Sequence, residues 1–245
     1  MITHFYTTDL QLSEKLDIVC VDNLDSLDET NAFFELDEQK LILHLMLDEK
    51  PNVLTIDLAD GETAVRANKV SKSNEVIAKA IGCKPHYRPK VLDATAGMGR
   101  DALMMAMLGC NVIMQERNFA IFHLLNDALN HLKKHSEIPA DITDQISLAY
   151  RDSIQVLNES HHFDVIYLDP MFPIRKKSAL VRKEMRLFKL LTGDDLDSDQ
   201  LLDTALRSEV KRIVVKRPKG AVTLTSKKPN HEIKSKNFRY DIYLR

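Results

Sequence analysis

A regular alternation of strand-like and helix-like segments, beginning at Lys90, constrains the fold of this 245-residue chain more than any other feature. Short runs rich in Val, Ile and Leu alternate with longer segments whose apolar residues recur at helical spacing. The strand-like runs are KVLDATAG, CNVIMQER, QISLAYRDS, FDVIYLDP and RIVVKRP. This alternation predicts a doubly wound α/β domain with a mainly parallel sheet over residues 75–245. Two late apolar runs, AVTLT and FRYDIYLR, predict an antiparallel hairpin at the edge of that sheet.

The first 74 residues have a different character. They are acidic, and their apolar runs LDIVC (16–20), LILHLML (41–47) and VLTIDLAD (53–60) carry no catalytic spacing. The last run predicts a strand that ends at the turn-forming pair Asp60-Gly61, and the polar residues 62–74 read as a linker. We interpret residues 1–74 as a small α+β subdomain with its linker.

Composition excludes several classes of protein. No apolar run approaches the roughly 20 residues that a membrane helix needs, and the amino terminus lacks the basic and apolar regions of a signal peptide. The cysteines Cys20, Cys83 and Cys110 are odd in number and widely spaced, which suits neither a disulfide framework nor a zinc site. We therefore expect a cytoplasmic protein that contacts no membrane and holds no metal.

A glycine turn between the first strand and helix of the α/β domain, DATAGMGRDA, predicts a cofactor site. Gly97 and Gly99 allow the backbone to pass close to a ligand at the helix amino terminus. A dinucleotide fingerprint has a similar spacing, but the strand-end acid Asp93 would repel a pyrophosphate. The same acid would attract an ammonium group, such as that of S-adenosylmethionine.

Polar residues also follow the next two strands. An acid placed like Glu116 accepts hydrogen bonds from ribose hydroxyls, so it favours a nucleoside cofactor without saying which one. Asp152 can accept a hydrogen bond from an adenine amine, whereas Ser153 can simply cap the following helix.

The strand VIYL ends in Asp169-Pro170-Met171-Phe172, which is typical of a site that methylates a planar amine. The lone pair of such an amine is delocalised into its ring, and acceptors that hold the N–H groups can turn it toward a methyl donor. The Asp169 carboxylate and the rigid Pro170 carbonyl are suitable acceptors. Phe172 can stack on the base, a contact worth about 1–3 kcal/mol in single-strand recognition.

The order DATAGMGRDA, QER, RDS and YLDPMFP resembles class I S-adenosylmethionine-dependent methyltransferases with a DPPY-like amine motif. More narrowly, LDPMFPIRKKSALVRKEMR with KRIVVKRP and RYDIYL resembles the bacterial family that methylates guanine N2 in 16S ribosomal RNA. The resemblance, from about residue 75 onward, implies a Rossmann-like methyltransferase sheet. It also implies S-adenosyl-L-methionine as cofactor, S-adenosyl-L-homocysteine as product, and 16S ribosomal RNA or the small ribosomal subunit as partner. The cofactor contacts that it implies are Arg100, Asp101, Glu116, Arg117, Asp152, Ser153 and Asp169. The chain departs from the family pattern at VRANKVSKSNE, where a glycine-rich basic stretch is expected, and at Met171.

The charge distribution is consistent with an RNA partner. Residues 170–245 carry 19 Lys and Arg against 9 Asp and Glu, while the rest of the chain is acidic. Clustered positive charge is the footprint of a polyanion partner, although a solvated surface gives the same composition. The candidate RNA contacts after the amine motif are Arg175, Lys176, Lys177, Arg182, Lys183 and Arg186. A later strand end adds Lys216, Arg217 and Lys219.

Three other readings stay open at this point. A nicotinamide-dependent oxidoreductase shares the glycine turn and the strand-end acid. A ribosome-binding or assembly factor on a degenerate methyltransferase fold would bind RNA without a cofactor. DNA adenine or protein glutamine methyltransferases use similar strand-end chemistry.

Overall fold

The computed structural model describes residues 2, 4–22, 30–58, 76–135, 138–159, 162–171, 183–193 and 197–245. The chain forms two compact units. Unit 1 combines residues 1–57, 118–131 and 171–195, and unit 2 combines residues 58–117, 132–170 and 196–245. The predicted boundary after residue 74 falls outside the described residues and stays a prediction. The sequence did not indicate that two later segments group with the first 57 residues.

The elements are numbered in chain order. The strands are β1 (His4–Thr7), β2 (Val19–Cys20), β3 (Asn31–Asp37), β4 (Lys40–Leu47), β5 (Lys50–Leu54), β6 (Lys90–Asp93), β7 (Asn111–Glu116), β8 (Ile146–Tyr150), β9 (Val165–Leu168), β10 (Arg212–Pro218), β11 (His231–Lys234) and β12 (Phe238–Leu244). The helices are α1 (Leu10–Leu16), α2 (Val76–Ile81), α3 (Arg100–Met107), α4 (Phe119–His135), α5 (Ala140–Thr143), α6 (Ser153–Leu157), α7 (Lys183–Thr192) and α8 (Ser198–Arg207). Among the described residues, no helix is long and apolar enough to cross a membrane.

The described part of unit 1 contains a five-stranded sheet in the order β2-β1-β3-β4-β5. Strand β1 is parallel to β2 and β3, while β3, β4 and β5 form an antiparallel meander. Its two tight turns place Glu38-Gln39 and Asp48-Glu49 at positive φ, between 44° and 70°. This conformation matches the twist of paired strands but usually recruits Asn or Gly. The sequence therefore gave no hairpin signal here, and the last predicted strand, 53–60, lies instead at Lys50–Leu54.

Aromatic side chains pack in the core of unit 1. The Phe119 ring at the start of α4 lies 5.2 Å from the Phe5 ring and 6.3 Å from the Phe34 ring, centroid to centroid. Phe34 is fully buried, as are Leu43 and Leu45 on alternate positions of β4. Buried residues alternate with partly exposed ones along β4, and this alternation specifies the register where the turn sequences give no signal.

Unit 2 contains a seven-stranded sheet in the order β11-β12-β10-β9-β6-β7-β8. Strands β6 to β10 are parallel, and β12 is antiparallel to both of its neighbours. The chain runs outward from β6 through β7 and β8, then returns to β9 on the other side of β6. Such a switch point opens a crevice at the carboxyl ends of the strands, where ligands bind in doubly wound sheets. The predicted α/β fold is confirmed.

The predicted edge hairpin has a different first strand. Strand β11, not the run AVTLT, pairs with β12, and residues 221–225 form no strand. Side-chain donors occupy the carbonyls of that run, since Arg239 Nη1 donates to Ala221 O at 2.8 Å and the Arg217 guanidinium donates to Val222 O. Buried arginines therefore satisfy this backbone in place of a β-ladder.

Candidate active site

The glycine turn after β6 lies beside the end of β7. Gly97 has φ 54° and Gly99 φ 71°, a left-handed conformation that costs glycine nothing. The Gly97 amide donates to Glu116 Oε2 at 3.2 Å, and the Ala96 amide donates to the Gln115 carbonyl at 3.1 Å. The turn and the strand-end acid predicted to bind a nucleoside are therefore neighbours.

Asp93 at the end of β6 is almost completely buried, with 1% of its surface exposed. Burial raises the pKa of its carboxyl to about 8, although the Thr95 amide, which donates to Oδ1 at 3.2 Å, acts in the opposite direction. At neutral pH this carboxyl is mostly protonated. A cation placed against it would favour the ionised form.

The centre of the site is an ammonium group held between two carboxylates. Lys216 Nζ of β10 donates to Asp101 Oδ2 at 2.7 Å and to Asp169 Oδ2 at 2.8 Å. Asp169 follows β9, and its amide donates to Thr95 Oγ1 at 2.6 Å, which ties it to the turn after β6. Three parallel strands thus bring these groups to one point of the carboxyl edge.

The same contacts set the charges of the site. Burial raises the pKa of Asp169 to about 6, and the neighbouring Lys216 limits that rise. Burial alone would lower the pKa of Lys216, but the Asp169 and Asp101 carboxylates outweigh it and hold the pKa above its ordinary value. At neutral pH Asp169 is therefore mostly ionised and Lys216 is charged.

Aromatic residues support this group from the sheet. The hydroxyl of the fully buried Tyr167 donates to Asp101 Oδ2 at 2.6 Å. The Tyr240 ring of β12 lies 6.2 Å from the Tyr167 ring, and Lys216 Nζ lies 5.5 Å from the centre of the Phe238 ring. Thr95, Tyr167 and these β12 residues lie in no motif that predicts a site. The hydroxyl of Tyr167 within the otherwise apolar strand VIYL is the one sequence feature that could have indicated a buried polar partner.

Two neighbours at the end of β8 have different roles. Asp152 caps α6, accepting from the Ile154 amide at 2.7 Å, and its other oxygen lies 3.7 Å from Arg117 Nη1. Ser153, predicted as either a cap or a cofactor contact, is buried and donates to the Ala94 carbonyl at 2.8 Å. Ser153 thereby connects the end of β8 to the end of β6. Arg117 also forms an ion pair with Asp197, whose pKa it lowers through their hydrogen bonds.

The other predicted site residues differ in their surroundings. Pro170 directly follows Asp169 and is buried, and Arg100 is exposed on the first turn of α3. In unit 1, Lys183 is exposed, and Arg186 Nη2 donates to both carboxylate oxygens of Asp48, at 2.6 and 2.8 Å. Outside the described residues are Phe172, Arg175, Lys176, Lys177 and Arg182.

The structure bears on two predicted RNA contacts. Lys216 lies inside the carboxylate site, with its side chain 23% exposed, and its contact with RNA stays a prediction. Arg217, which points to the other side of β10, is only 4% exposed, and burial lowers its pKa. We withdraw Arg217 from the RNA-binding set, because a buried guanidinium cannot reach a phosphate at the protein surface.

The residues present fit a nucleoside cofactor that carries a positive charge. Carboxylates lie at the carboxyl ends of three adjacent parallel strands, with Asp93 at the end of β6, Glu116 at the end of β7 and Asp152 after β8. Carboxylates accept hydrogen bonds from hydroxyl and ammonium groups, whereas a pyrophosphate needs donors. Among the described side chains, no group of three His, Cys, Asp or Glu is arranged to hold a metal ion.

Comparisons with known proteins agree with this geometry. The family model described as "Putative SAM-dependent methyltransferase" matches residues 18–245. A ribosomal RNA small subunit methyltransferase J from Dechloromonas aromatica is 40% identical over 241 residues, covering 98% of this chain and 96% of its own. The protein of the same name from Desulfotalea psychrophila is 45% identical over 193 residues, covering 78% of this chain and 74% of its own.

The fold has a solved relative as well. The crystal structure of a SAM-dependent methyltransferase from Neisseria gonorrhoeae superposes with a TM-score of 0.73 at 25% identity, covering 99% of this chain and 96% of that one. An oxidoreductase that uses a nicotinamide cofactor is not consistent with these matches. The chain belongs to the family of S-adenosylmethionine-dependent methyltransferases that the matching model describes.

Proposed function

We propose that this protein transfers a methyl group from S-adenosylmethionine to an exocyclic amine of small-subunit ribosomal RNA, and more narrowly to guanine N2. The relatives that match almost the whole chain carry the name ribosomal RNA small subunit methyltransferase J. The structural observation on which the proposal rests is the position of the Asp169 carboxylate. It lies at the switch point of the sheet, 2.8 Å from the Lys216 ammonium.

The cofactor supplies a sulfonium-bound methyl group, and the protein supplies position and charge. Asp169 accepts a hydrogen bond from the target amine, and the carbonyl of Pro170 accepts a second one. These contacts direct the nitrogen lone pair at the methyl carbon. Alignment of this kind accelerates the reaction strongly, since well-oriented intramolecular reactions reach effective molarities of about 10⁵–10⁸ M. Phe172 is the proposed platform for the base.

The atoms and charges of the reaction balance within this site. A nitrogen–carbon bond forms as the sulfur–carbon bond breaks, which yields S-adenosylhomocysteine and an amine that carries one proton too many. Asp169, with a pKa of about 6, can take up that proton and return it to water between turnovers. Its side chain is 35% exposed, so a route to solvent exists.

The remaining cofactor contacts follow from the strand ends. We assign Asp93 to the ammonium group of the cofactor, Glu116 to its ribose, Asp152 to its adenine, and Gly97 and Gly99 to close backbone contact. Arg100, Asp101, Arg117 and Ser153 complete the proposed surroundings. Methylation of ribosomal RNA would place the protein in the cytoplasm, without a membrane or a metal.

The substitution Asp169→Asn tests the catalytic assignment. The amide keeps the size of the carboxylate but loses its charge and its capacity to take a proton. We expect methyl transfer to small ribosomal subunits to fall by about 10²-fold or more, while S-adenosylhomocysteine affinity changes little. Transfer is measured with isotope-labelled S-adenosylmethionine, and the modified nucleotide is mapped by mass spectrometry.

The matched control is Asp203→Asn, since Asp203 is exposed on α8. This variant should methylate at the normal rate. If Asp169→Asn folds, binds cofactor and transfers methyl groups as fast as the wild type, Asp169 does not hold the amine.

A further inference from the structure

Three lysines, Lys219, Lys234 and Lys236, lie at the same sheet edge as the candidate site, and we call them the basic edge. Strand β10 ends at Pro218, which pairs with Phe238 at the start of β12, and Lys234 at the end of β11 pairs with Arg239. The connections after β10 and between β11 and β12 therefore emerge at the carboxyl edge of the sheet. Asp169 lies at that edge, after β9.

The charges of the basic edge are available to a partner. Lys219 and Lys236 are exposed, and among the described residues neither forms an ion pair. The Lys234 side chain is 67% exposed, and its ammonium lies 3.5 Å from Glu232. An exposed pair at that distance contributes little, about 0–1 kcal/mol, and exchanges readily for another anion.

The backbone beneath these lysines is held by buried hydrogen bonds. Arg239, whose side chain is 7% exposed, donates to the carbonyls of Lys219 at 3.1 Å and Ala221 at 2.8 Å. It also pairs with the buried Asp241 at 2.6 Å. The Lys219 amide donates to the Asn237 carbonyl at 3.3 Å, which joins the two connections. These hydrogen bonds therefore fix the backbone next to the lysines.

The Phe238 side chain, two residues after Lys236 in the chain, contacts the ammonium group of the carboxylate site. The Phe238 ring follows Lys236 and Asn237 in the chain, and Lys216 Nζ lies 5.5 Å from its centre. The same ammonium contacts Asp169 at 2.8 Å. A nucleotide whose base reached Asp169 would therefore bring its neighbouring phosphates to the edge of the sheet that carries Lys219 and Lys236.

We propose that the basic edge binds the phosphates of the RNA strand that enters the site, and so positions the target base at Asp169. This inference rests on the proposed function. Lysines that contact phosphates position a nucleic acid without reading its sequence, so these residues contribute affinity rather than the choice of nucleotide. RNA fits better than an acidic peptide because the edge borders a site built for a planar amine.

The chain contains a control of equal charge. Lys227 and Lys228 are exposed on the connection between β10 and β11, but they lie toward the opposite end of the sheet, where the Lys227 carbonyl accepts from the Tyr243 hydroxyl at 3.4 Å. Lys211, also exposed, precedes β10 at that end. The triple variants K219E/K234E/K236E and K211E/K227E/K228E thus change the net charge equally. They differ in the end of the sheet at which the charges are reversed.

The experiment measures RNA affinity and methyl transfer for both triple variants. The probes are transcribed small-subunit ribosomal RNA and small subunits purified from cells that lack the gene. Each phosphate contact to a single strand contributes about 0.7 to the slope of log affinity against log salt. The edge variant should bind at least about tenfold more weakly near 0.15 M salt, with a slope shallower by about 2. Its KM for RNA should rise while its affinity for S-adenosylhomocysteine stays unchanged.

The outcomes separate this inference from the proposed function. A loss confined to the edge variant supports the basic edge. Equal losses in both variants, or none in either, overturn it even when the wild type methylates RNA. Absence of methyl transfer by the wild type refutes the proposed function, and the two affinities then still report whether the basic edge binds RNA.

Discussion

Replacing Lys216 by Met removes the ammonium between Asp101 and Asp169 but keeps an unbranched side chain of similar length. In the wild type this ammonium lies 2.8 Å from Asp169 Oδ2, where it favours the ionised carboxylate. Without it, burial acts unopposed and the pKa of Asp169 rises. Since the proposed reaction needs ionised Asp169, the acidic limb of the activity profile should move to higher pH.

The structure bounds the size of this shift. An opposite charge in contact lowers a carboxyl pKa by about 1–3 units. The Asp169 side chain is 35% exposed, so water screens the pair and we take the lower end, about 1 unit. The midpoint would then move from about 6 to about 7. From the change in Asp169 ionisation alone, the activity of Lys216→Met should be about threefold below that of the wild type at pH 6.5 and almost equal to it at pH 8.5.

The assay is single-turnover methylation of small ribosomal subunits at saturating S-adenosylmethionine, from pH 5.5 to 9. Lys216→Arg serves as control, because it keeps the positive charge and should keep the limb near pH 6. RNA affinity is measured in parallel as a function of salt. If the acidic limb of Lys216→Met does not move and the salt slope of its RNA affinity instead falls by about 0.7, Lys216 contacts a phosphate and does not control the ionisation of Asp169.

Two other predictions concern the buried acid and the cysteine pair. Binding of S-adenosylhomocysteine at pH 7 should release up to about one proton from Asp93, because an ammonium placed against a carboxyl of pKa about 8 ionises it. Calorimetry in buffers of different ionisation enthalpy measures this release, and Asp93→Asn should show none. Cys83 Sγ and Cys110 Sγ lie 3.3 Å apart, so oxidised glutathione should join them in a Cys20→Ser variant, detected as the loss of two hydrogen atoms by mass spectrometry. Closing this loop of 27 residues should stabilise the fold by up to about 3.5 kcal/mol, and an unchanged denaturation midpoint would argue against it.

The sequence was most informative wherever local pattern decides structure. The switch from irregular to alternating segments at Lys90 predicted the sheet of unit 2, because apolar period and turn residues act over a few positions. The predicted hairpin strand AVTLT is wrong because residues outside this run determine its structure. Arg217 and Arg239 occupy its carbonyls, and Arg239 lies 18 residues from Ala221.

The functional site divides in the same way. Strand ends can be recognised in the sequence, and they predict that Asp93, Glu116, Asp152 and Asp169 lie at one edge of the sheet. Their partners are not readable, because Lys216 is 115 residues from Asp101 and 47 from Asp169. Charge composition suggested an RNA contact for Lys216, whereas its environment made it a partner of two carboxylates.

The sequence by itself determined the alternation of strands and helices from Lys90 to β10, the glycine turn and the acids that end the strands, since each of these depends on residues close together in the chain. Only the tertiary structure decided which charges meet and in what protonation state. Those properties depend on burial and on distances between strands that are far apart in sequence. That is why Asp93 is mostly protonated at neutral pH while Asp169 is mostly ionised beside Lys216.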